Sequence, residues 1–226
     1  MQITHQPGAT PGKDTYLSMR NATSNFGTTA TLNCGYVISG ADDARRALLE
    51  AEFDGLLPNR VLTRSRLIKS TTFTIVVTSA AASAEPSHWY RMTGTWTEAG
   101  ATWNTSDGSA AWPGGAGGEG AYTTDNGVAF TQPTGTGAAS YDLTQLHKDA
   151  IDDGDTHLGT MGRRDTESGD QSSFVLGSSD NTTEANRPTW TVICDLGPRV
   201  RAGLRPRCNR PRYNRPRYNR AGIGCC

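Results

Sequence analysis

The 226-residue sequence predicts an all-β protein: an antiparallel β-sandwich of the jelly-roll kind, with one short helix and an extended, arginine-rich C-terminal arm. Glycine is abundant, with 26 residues, and threonine is frequent throughout, a composition that favours strands joined by turns. Short segments rich in apolar and β-branched residues follow one another, and turn-forming residues separate most of them. Such a series of short strands is typical of two packed antiparallel sheets.

Nine segments carry the strand pattern, and one carries a helical pattern. Several strands alternate apolar and polar residues, as half-buried strands do; in the last of them Trp190, Val192 and Cys194 share one face. The segment 144–153 predicts the helix, which ends at Gly154. The predicted strands are 14–19, 30–38, 45–53, 66–77, 88–92, 138–144, 157–162, 172–178 and 189–195.

The predicted domain organisation is an N-terminal extension (1–13), the sandwich (14–196) and the basic arm (197–226). Within the sandwich, the glycine-rich segment 105–137 has little periodicity, so we expect a long surface loop or an edge hairpin that carries binding residues. The first residues lack the basic and apolar regions of a secretory signal, and no apolar run is long enough for a membrane span. We therefore expect no membrane partner.

The formal net charge of zero hides a strong asymmetry along the chain. The last acidic residue is Asp195, and nine arginines follow it without any acidic residue. Residues 1–196 carry 13 basic and 22 acidic side chains, a balance of −9 against +9 in the arm. A basic arm of this kind indicates an acidic partner surface.

The arm repeats a five-residue unit, Arg-Pro-Arg-(Cys/Tyr)-Asn, three times and closes with an arginine. Its prolines exclude a helix and favour an extended polyproline conformation. Because arginine pairs with carboxylates, we expect the arm to anchor the protein to acidic neighbouring subunits, in a homo-oligomer or a lattice. Disorder in the free monomer and binding to nucleic acid are the alternatives, and nucleic acid is the least favoured partner. The predicted anchoring residues are Arg205, Arg207, Arg210, Arg212, Tyr213, Arg215, Arg217, Tyr218 and Arg220.

Four aromatic residues are candidates for binding a polysaccharide: Trp96, Trp103, Trp112 and Tyr122. Trp96 and Trp103 lie seven residues apart, so they either form a platform for a sugar ring or pin a loop against the end of the sandwich. Trp112 lies in the glycine-rich segment and is the best candidate for an exposed aromatic ring.

Two groups of acidic residues are compatible with a calcium ion, although neither has the spacing of an EF-hand loop. The first group is Asp152, Asp153 and Asp155, which a solvated turn after a helix explains equally well. The second is Asp14 with its neighbouring asparagine-rich turn; Glu98 either binds calcium or caps a turn. Neither a metal nor any other cofactor is assigned.

The sequence contains no catalytic motif with a recognisable spacing, so we predict a protein that is not an enzyme. Cys34 and Cys194 fall in strand-like segments and are expected to be buried thiols. Whether Cys208, Cys225 and Cys226 form disulfides stays open.

An ordered set of motifs resembles the DNRLRE-type domain, which is related to the carbohydrate-binding modules of alginate-active enzymes. It begins with Asp14-Thr15-Tyr16 and "NFGTTATLNCG" (25–35), continues with Leu48-Leu49 and "FDGLLP" (53–58), and includes "TGTWTEAGATWN" (93–104). "YDLT" (141–144) and "NRPTWTV" (186–192) complete it. The resemblance runs from about 14 to 195, and the C-terminal arm has no counterpart in the family.

The resemblance implies a non-catalytic jelly-roll sandwich of the kind found in secreted polysaccharide-active proteins and in virion proteins of tailed phages. Combined with the charge asymmetry, it leads us to predict a virion structural protein, either a capsid decoration or a tail or fibre component, on the virion surface. The alternative is a secreted, extracellular carbohydrate-binding module that recognises a polysaccharide.

Overall fold

A computed structural model describes residues 1–9, 12–53 and 65–195 of the chain. These residues form eleven strands, one α-helix and three short 3-10 helices. The strands are β1 (Gln2–His5), β2 (Lys13–Ser18), β3 (Thr31–Ile38), β4 (Asp42–Glu52), β5 (Ile68–Ser79), β6 (Pro86–Met92), β7 (Tyr122–Thr131), β8 (Gly137–Asp142), β9 (His157–Arg164), β10 (Ser172–Gly177) and β11 (Thr189–Cys194). The helix is α1 (Thr144–Asp152), and the 3-10 helices are Ser65–Leu67, Ala116–Gly118 and Glu184–Asn186.

The prediction of an all-β fold is confirmed. Each of the nine predicted strands is present within a few residues of its predicted bounds, and so is the helix. The helix ends where expected because Gly154 adopts a φ of 91°, a conformation that glycine reaches without strain. The predicted arm, residues 197–226, and its anchoring arginines and tyrosines lie outside the described residues.

β1 and β7 are not among the nine predicted strands, although an edge hairpin was one of the two expectations for the segment that contains β7. β1 lies in the segment assigned to an N-terminal extension and pairs with β11, with Ile3 opposite Val192. β7 lies in the glycine-rich segment and pairs with β6, but the pairing shifts by several residues between Val128 and Thr123. The extra residues form a bulge in which Asn126 has a φ of 57°. The bulge interrupts the alternation by which a strand is recognised.

All the strands pair antiparallel, and they form one strongly curled sheet in the order β1-β11-β5-β10-β3-β4-β9-β6-β7. β8 pairs additionally with β5, and β2 pairs additionally with β4. Among the described strands β2 forms its ladder with β4, and on its other edge the amide of Asp14 donates to Glu98 Oε1 at 2.9 Å. This curling folds the sheet over its own inner face, as in a sandwich.

Two hydrophobic clusters lie on opposite faces of the sheet, and neighbouring residues of β4 supply both. Leu49 belongs to the inner cluster, with Phe73, Trp89 and Trp190, and α1 closes this cluster at one end. Leu48 belongs to the outer cluster. The predicted burial of the thiols Cys34 and Cys194 in the described part of the chain is confirmed, since both belong to the inner cluster.

The outer cluster requires a cover, because a sheet face exposed to water would not bury apolar side chains. The cover is the connection between β6 and β7, residues 93–121, which we call the covering loop. Within the described residues, no helix is both long and apolar enough to span a membrane.

Candidate functional site

The covering loop is held by its own backbone hydrogen bonds rather than by regular secondary structure. Its ends meet where the amides of Thr93 and Gly94 donate to the carbonyl of Ala121, at 2.8 and 3.0 Å. In its middle, the amide of Thr97 donates to the carbonyl of Ser106 at 2.9 Å. The first half of the glycine-rich segment is therefore an ordered cover of the outer cluster.

Three of the four predicted binding aromatics belong to this cover. Trp96, Trp103 and Trp112 are 4%, 9% and 2% exposed and all belong to the outer cluster. The expected exposure of Trp112 is wrong, because its ring packs inward and its Nε1 donates to the carbonyl of Thr102 at 2.9 Å. The burial of Trp96 and Trp103 agrees with the interpretation that they pin the loop. A role for the three indoles in binding sugar stays a prediction.

The fourth aromatic, Tyr122, is half-buried and belongs to a row of three rings on the outer face of the sheet. His88 and Tyr90 alternate with the buried Trp89 along β6, so both lie on that outer face. Ring centroids are 5.2 Å apart both between His88 and Tyr90 and between Tyr90 and Tyr122. A Cβ at Gly127 would lie 2.5 Å from the Tyr90 ring, so β7 needs glycine there. We call His88, Tyr90 and Tyr122 the aromatic strip.

Charged groups fix the strip at the Tyr122 end. Arg163 lies over the Tyr122 ring at 5.7 Å and donates to its hydroxyl oxygen at 2.6 Å. The same guanidinium donates to Glu119 Oε1 at 2.9 Å and to Glu167 Oε2 at 3.2 Å. The buried Arg46 forms a bidentate pair with Glu167, at 2.9 and 2.6 Å. The polar groups beside the strip are therefore preorganised.

The protonation states of this network follow from its charges. Burial disfavours ionisation of Glu119, but Arg46 and Arg163 outweigh it and lower the pKa of its carboxyl. Burial raises the pKa of the Tyr122 hydroxyl, which stays protonated and donates to Glu119 Oε2 at 3.0 Å. At the other end of the strip, His88 Nδ1 lies 2.6 Å from Asp165 Oδ1. Hydrogen-bonding groups thus flank the rings at both ends.

A concavity elsewhere on the described residues is less suited to stacking on a ring-shaped ligand. It has a volume of about 370 Å³ and lies between the "TEAGATWN" segment and the turn around Asn25. Neither an aromatic nor a charged residue is among those that line it: Thr23, Asn25, Ala99, Gly100, Thr102, Asn104, Thr105 and Gly108. The aromatic strip is therefore the stronger candidate among the described surfaces.

Two of the three carboxylates in the acidic turn after α1 pair with a cation from the protein. Arg91, only 7% exposed, pairs with Asp153 and donates to Asp155 Oδ2 at 3.2 Å. This ion pairing supports the interpretation of Asp152, Asp153 and Asp155 as a turn after a helix rather than as a metal site.

A different set of carboxylates comes together at the edge of β2 that faces away from β4. Asp14, Glu98 and Asp180 each offer an oxygen, and these atoms lie within 4.8 Å of one another. Burial raises the pKa of Asp14 to about 7, and it also raises the pKa of Glu98 and of Asp180. The sequence pointed to Asp14 and Glu98 separately, whereas Asp180 and the grouping of all three were missed.

The sequence predicts part of the aromatic strip but not all of it. Alternation in "HWYRM" places His88 and Tyr90 on one face. Nothing in the sequence pairs that face with Tyr122 and Arg163, since the three strands involved are far apart along the chain.

Comparison with known families gives one match. Residues 6–111 match the model of Carbohydrate-binding module family 96, a segment that includes His88 and Tyr90 but ends before Tyr122 and Arg163. No curated protein matches the chain. The DNRLRE-type assignment and the phage setting stay predictions. The match supports a relationship of the first half of this chain to the carbohydrate-binding modules, which are non-catalytic.

Proposed function

We propose that this protein is a non-catalytic carbohydrate-binding module that recognises a polysaccharide at the aromatic strip. The observation that carries the proposal is the row of partly exposed rings, His88, Tyr90 and Tyr122, whose centroids are spaced 5.2 Å apart beside the fixed guanidinium of Arg163. The match to a carbohydrate-binding family supports it independently.

The chemistry of the strip suits a sugar chain. The parts of aromatic rings that remain exposed attract the weakly positive C–H groups of a pyranose, and the contact excludes water from both surfaces. Sugar hydroxyls need donors and acceptors at the rim, which Arg163 and the 40%-exposed carboxylate of Glu119 provide. Because the ion-pair network already orders these side chains, little conformational entropy is lost on binding.

Binding to polysaccharides tests the proposal directly. The full chain is titrated calorimetrically with alginate and with soluble neutral glucans, and the same titrations are repeated with Tyr90→Ala and Tyr122→Ala. We expect each substitution to weaken binding about five- to thirtyfold, because each lost ring contact contributes on the order of 1–2 kcal/mol.

The matched control is Phe26→Ala. Phe26 is also a half-buried ring in a stacked pair, 4.1 Å from Tyr16, but it lies outside the strip. The substitution Phe26→Ala should leave the affinity for the polysaccharide unchanged. Equal affinity of the wild-type protein and both strip variants, with all of them folded, would remove the strip from consideration as the binding site.

The role of a virion structural protein, placed on a virion surface and anchored by the basic arm, stays a prediction from the sequence. What supports it is the opposition of −9 in residues 1–196 and +9 in the arm. The two functions are compatible, because a module that binds polysaccharide outside the cell can be part of a larger assembly. We place glycan binding first because described residues support it.

A further inference from the structure

Three of the motifs that mark this sequence meet at one place that the aromatic strip does not use. Asp14 of the "DTY" motif lies on β2, the "NFG" turn begins at Asn25, and Glu98 lies in the covering loop. The Asn25 side-chain amide donates to the carbonyls of Glu98 and Ala101, at 2.6 and 2.8 Å. A Cβ at Gly27 would lie 2.3 Å from the Glu98 carbonyl oxygen, so only glycine permits this approach.

We propose that Asp14, Glu98 and Asp180 bind one calcium ion, which ties β2 to the covering loop and to the turn after β10. Their carboxylate oxygens lie within 4.8 Å of one another. Calcium–oxygen distances of about 2.3–2.6 Å place two ligand oxygens at most about 5 Å apart across the ion, so the three groups span a distance that one ion fits.

Asp14 supplies the observation that points to a ligand. Its side chain is 2% exposed, and its Oδ2 accepts the amide of Ser179 at 2.6 Å. Its other oxygen, Oδ1, is buried without any hydrogen-bond partner. A buried acceptor without a partner is costly, and a carboxylate oxygen is a strong ligand for a hard cation. Asp14 Oδ1 is therefore the oxygen that the ion would satisfy.

The nearby cations have other partners. Lys13 Nζ binds Glu50 at 2.8 Å and lies 4.5 Å over the ring of Trp96. Arg187 donates its Nε hydrogen to the carbonyl of Asn181 at 2.9 Å. Among the ion pairs of the described residues, none includes a carboxylate of the cluster. The negative charge of the cluster is thus left for a ligand to balance.

The donor set selects calcium among the common divalent ions. All three groups are carboxylates, whereas zinc prefers nitrogen and sulfur ligands. The ligands come from three separate chain segments, a strand edge and two irregular loops. Magnesium requires a near-ideal octahedron, while calcium accepts the irregular arrangement that such segments offer.

The test uses the full chain, freed of metal with EDTA and dialysed into metal-free buffer at pH 7.5. Thermal unfolding is followed while CaCl2 or, in parallel, MgCl2 is added, and calorimetry gives the stoichiometry. At a hundredfold excess over Kd we expect calcium to raise the Tm by about 5–10 °C, with one ion bound per chain. Magnesium should produce a smaller shift.

Two variants make the assignment specific. Asp14→Asn and Asp180→Asn each remove one charged ligand, and Asp180 is only partly buried, so at least the second variant should fold. Both should lose most of the calcium-dependent Tm shift. Asp152→Asn, in the exposed acidic turn, is the matched control and should keep it.

Two results would overturn the proposal. One is a wild-type Tm that does not respond to calcium up to about 10 mM, well above the weakest Kd expected of extracellular calcium modules. The other is a full calcium response in the Asp180→Asn variant. Neither measurement involves a polysaccharide. The test of the calcium site is therefore independent of the test of the aromatic strip.

Discussion

At the residue scale, His147 shows how burial sets the chemistry of a side chain. It lies on α1, it is 1% exposed, and its ring stacks on Phe53 at 4.2 Å. Its Nδ1 lies 2.8 Å from the hydroxyl of Thr71. Burial lowers the pKa of His147 to about 4, because the protonated ring would lose its hydration inside the inner cluster.

This histidine should make the protein sensitive to acid. Its pKa is about 6.5 in the unfolded chain and about 4 in the folded one, so the unfolded state binds the proton more strongly. Above pH 6.5 the neutral His147 does not reduce the free energy of unfolding. As the pH falls from 6.5 toward 4, the free energy of unfolding decreases by about 3 kcal/mol. Chemical denaturation between pH 7.5 and pH 4 measures this loss.

The variant His147→Asn keeps a polar atom near the Nδ1 position and cannot be protonated in this range. Its free energy of unfolding should fall less between pH 7.5 and pH 4 than that of the wild type. His157→Asn, at a residue whose side chain is 40% exposed, serves as the control and should follow the wild type. Identical pH dependence in all three proteins would contradict the assignment.

At the scale of elements, the covering loop is part of the core although its only regular element is the short 3-10 helix Ala116–Gly118. Its apolar residues pack on Leu17, Leu48 and Met161 of the sheet. Ordered loops of this length must satisfy their own backbone groups, and the hydrogen bonds between its two halves do so. The loop should therefore unfold together with the sandwich.

Trp112 tests this cooperativity. Trp112→Ala should lower the free energy of unfolding by about 3–5 kcal/mol, because it leaves a large cavity in the outer cluster. Trp112→Phe keeps most of the apolar contact and loses the hydrogen bond to Thr102, so about 1–2 kcal/mol is expected. Equilibrium denaturation in urea measures both. A cost below about 1 kcal/mol for Trp112→Ala would mean that the loop opens independently of the sheet.

The elements also show why sequence patterns succeeded in some places and failed in others. In strands such as β5 and β11, apolar and polar residues alternate because one face is buried and the other is not. That alternation predicts the strands from the sequence. β7 was missed because the bulge around Asn126 breaks the alternation. Trp112 was expected at the surface because the glycines around it resemble a mobile loop, although the loop folds back over an apolar face.

At the scale of the whole molecule, the opposition of charges yields a prediction about assembly. If the arm anchors neighbouring subunits, removal of residues 198–226 should convert an oligomer into monomers. Native mass measurements on both proteins show this, since the full chain has a mass of 24.1 kDa. High salt should dissociate the full-length assembly as well, because screening weakens contacts between opposite charges.

The deletion has a built-in control, because residues 1–195 include all the described strands and should remain folded. Thermal unfolding of the truncated protein checks this. If the native mass corresponds to the same number of subunits before and after truncation, the anchoring role is removed, and with it the main support for a virion component.

The sequence by itself determined the fold class, the positions of nine strands and one helix, the separation of charge and the absence of a recognised catalytic motif. These properties depend on local periodicity, composition and spacing, which can be determined from the order of the residues alone. The tertiary structure decided which surfaces can act. It buried three tryptophans of the covering loop against the sheet, aligned His88 and Tyr90 with Tyr122 and Arg163, and brought Asp180 to Asp14 and Glu98. Such groupings depend on how distant strands pair and how the sheet curls, and no short stretch of sequence contains that information.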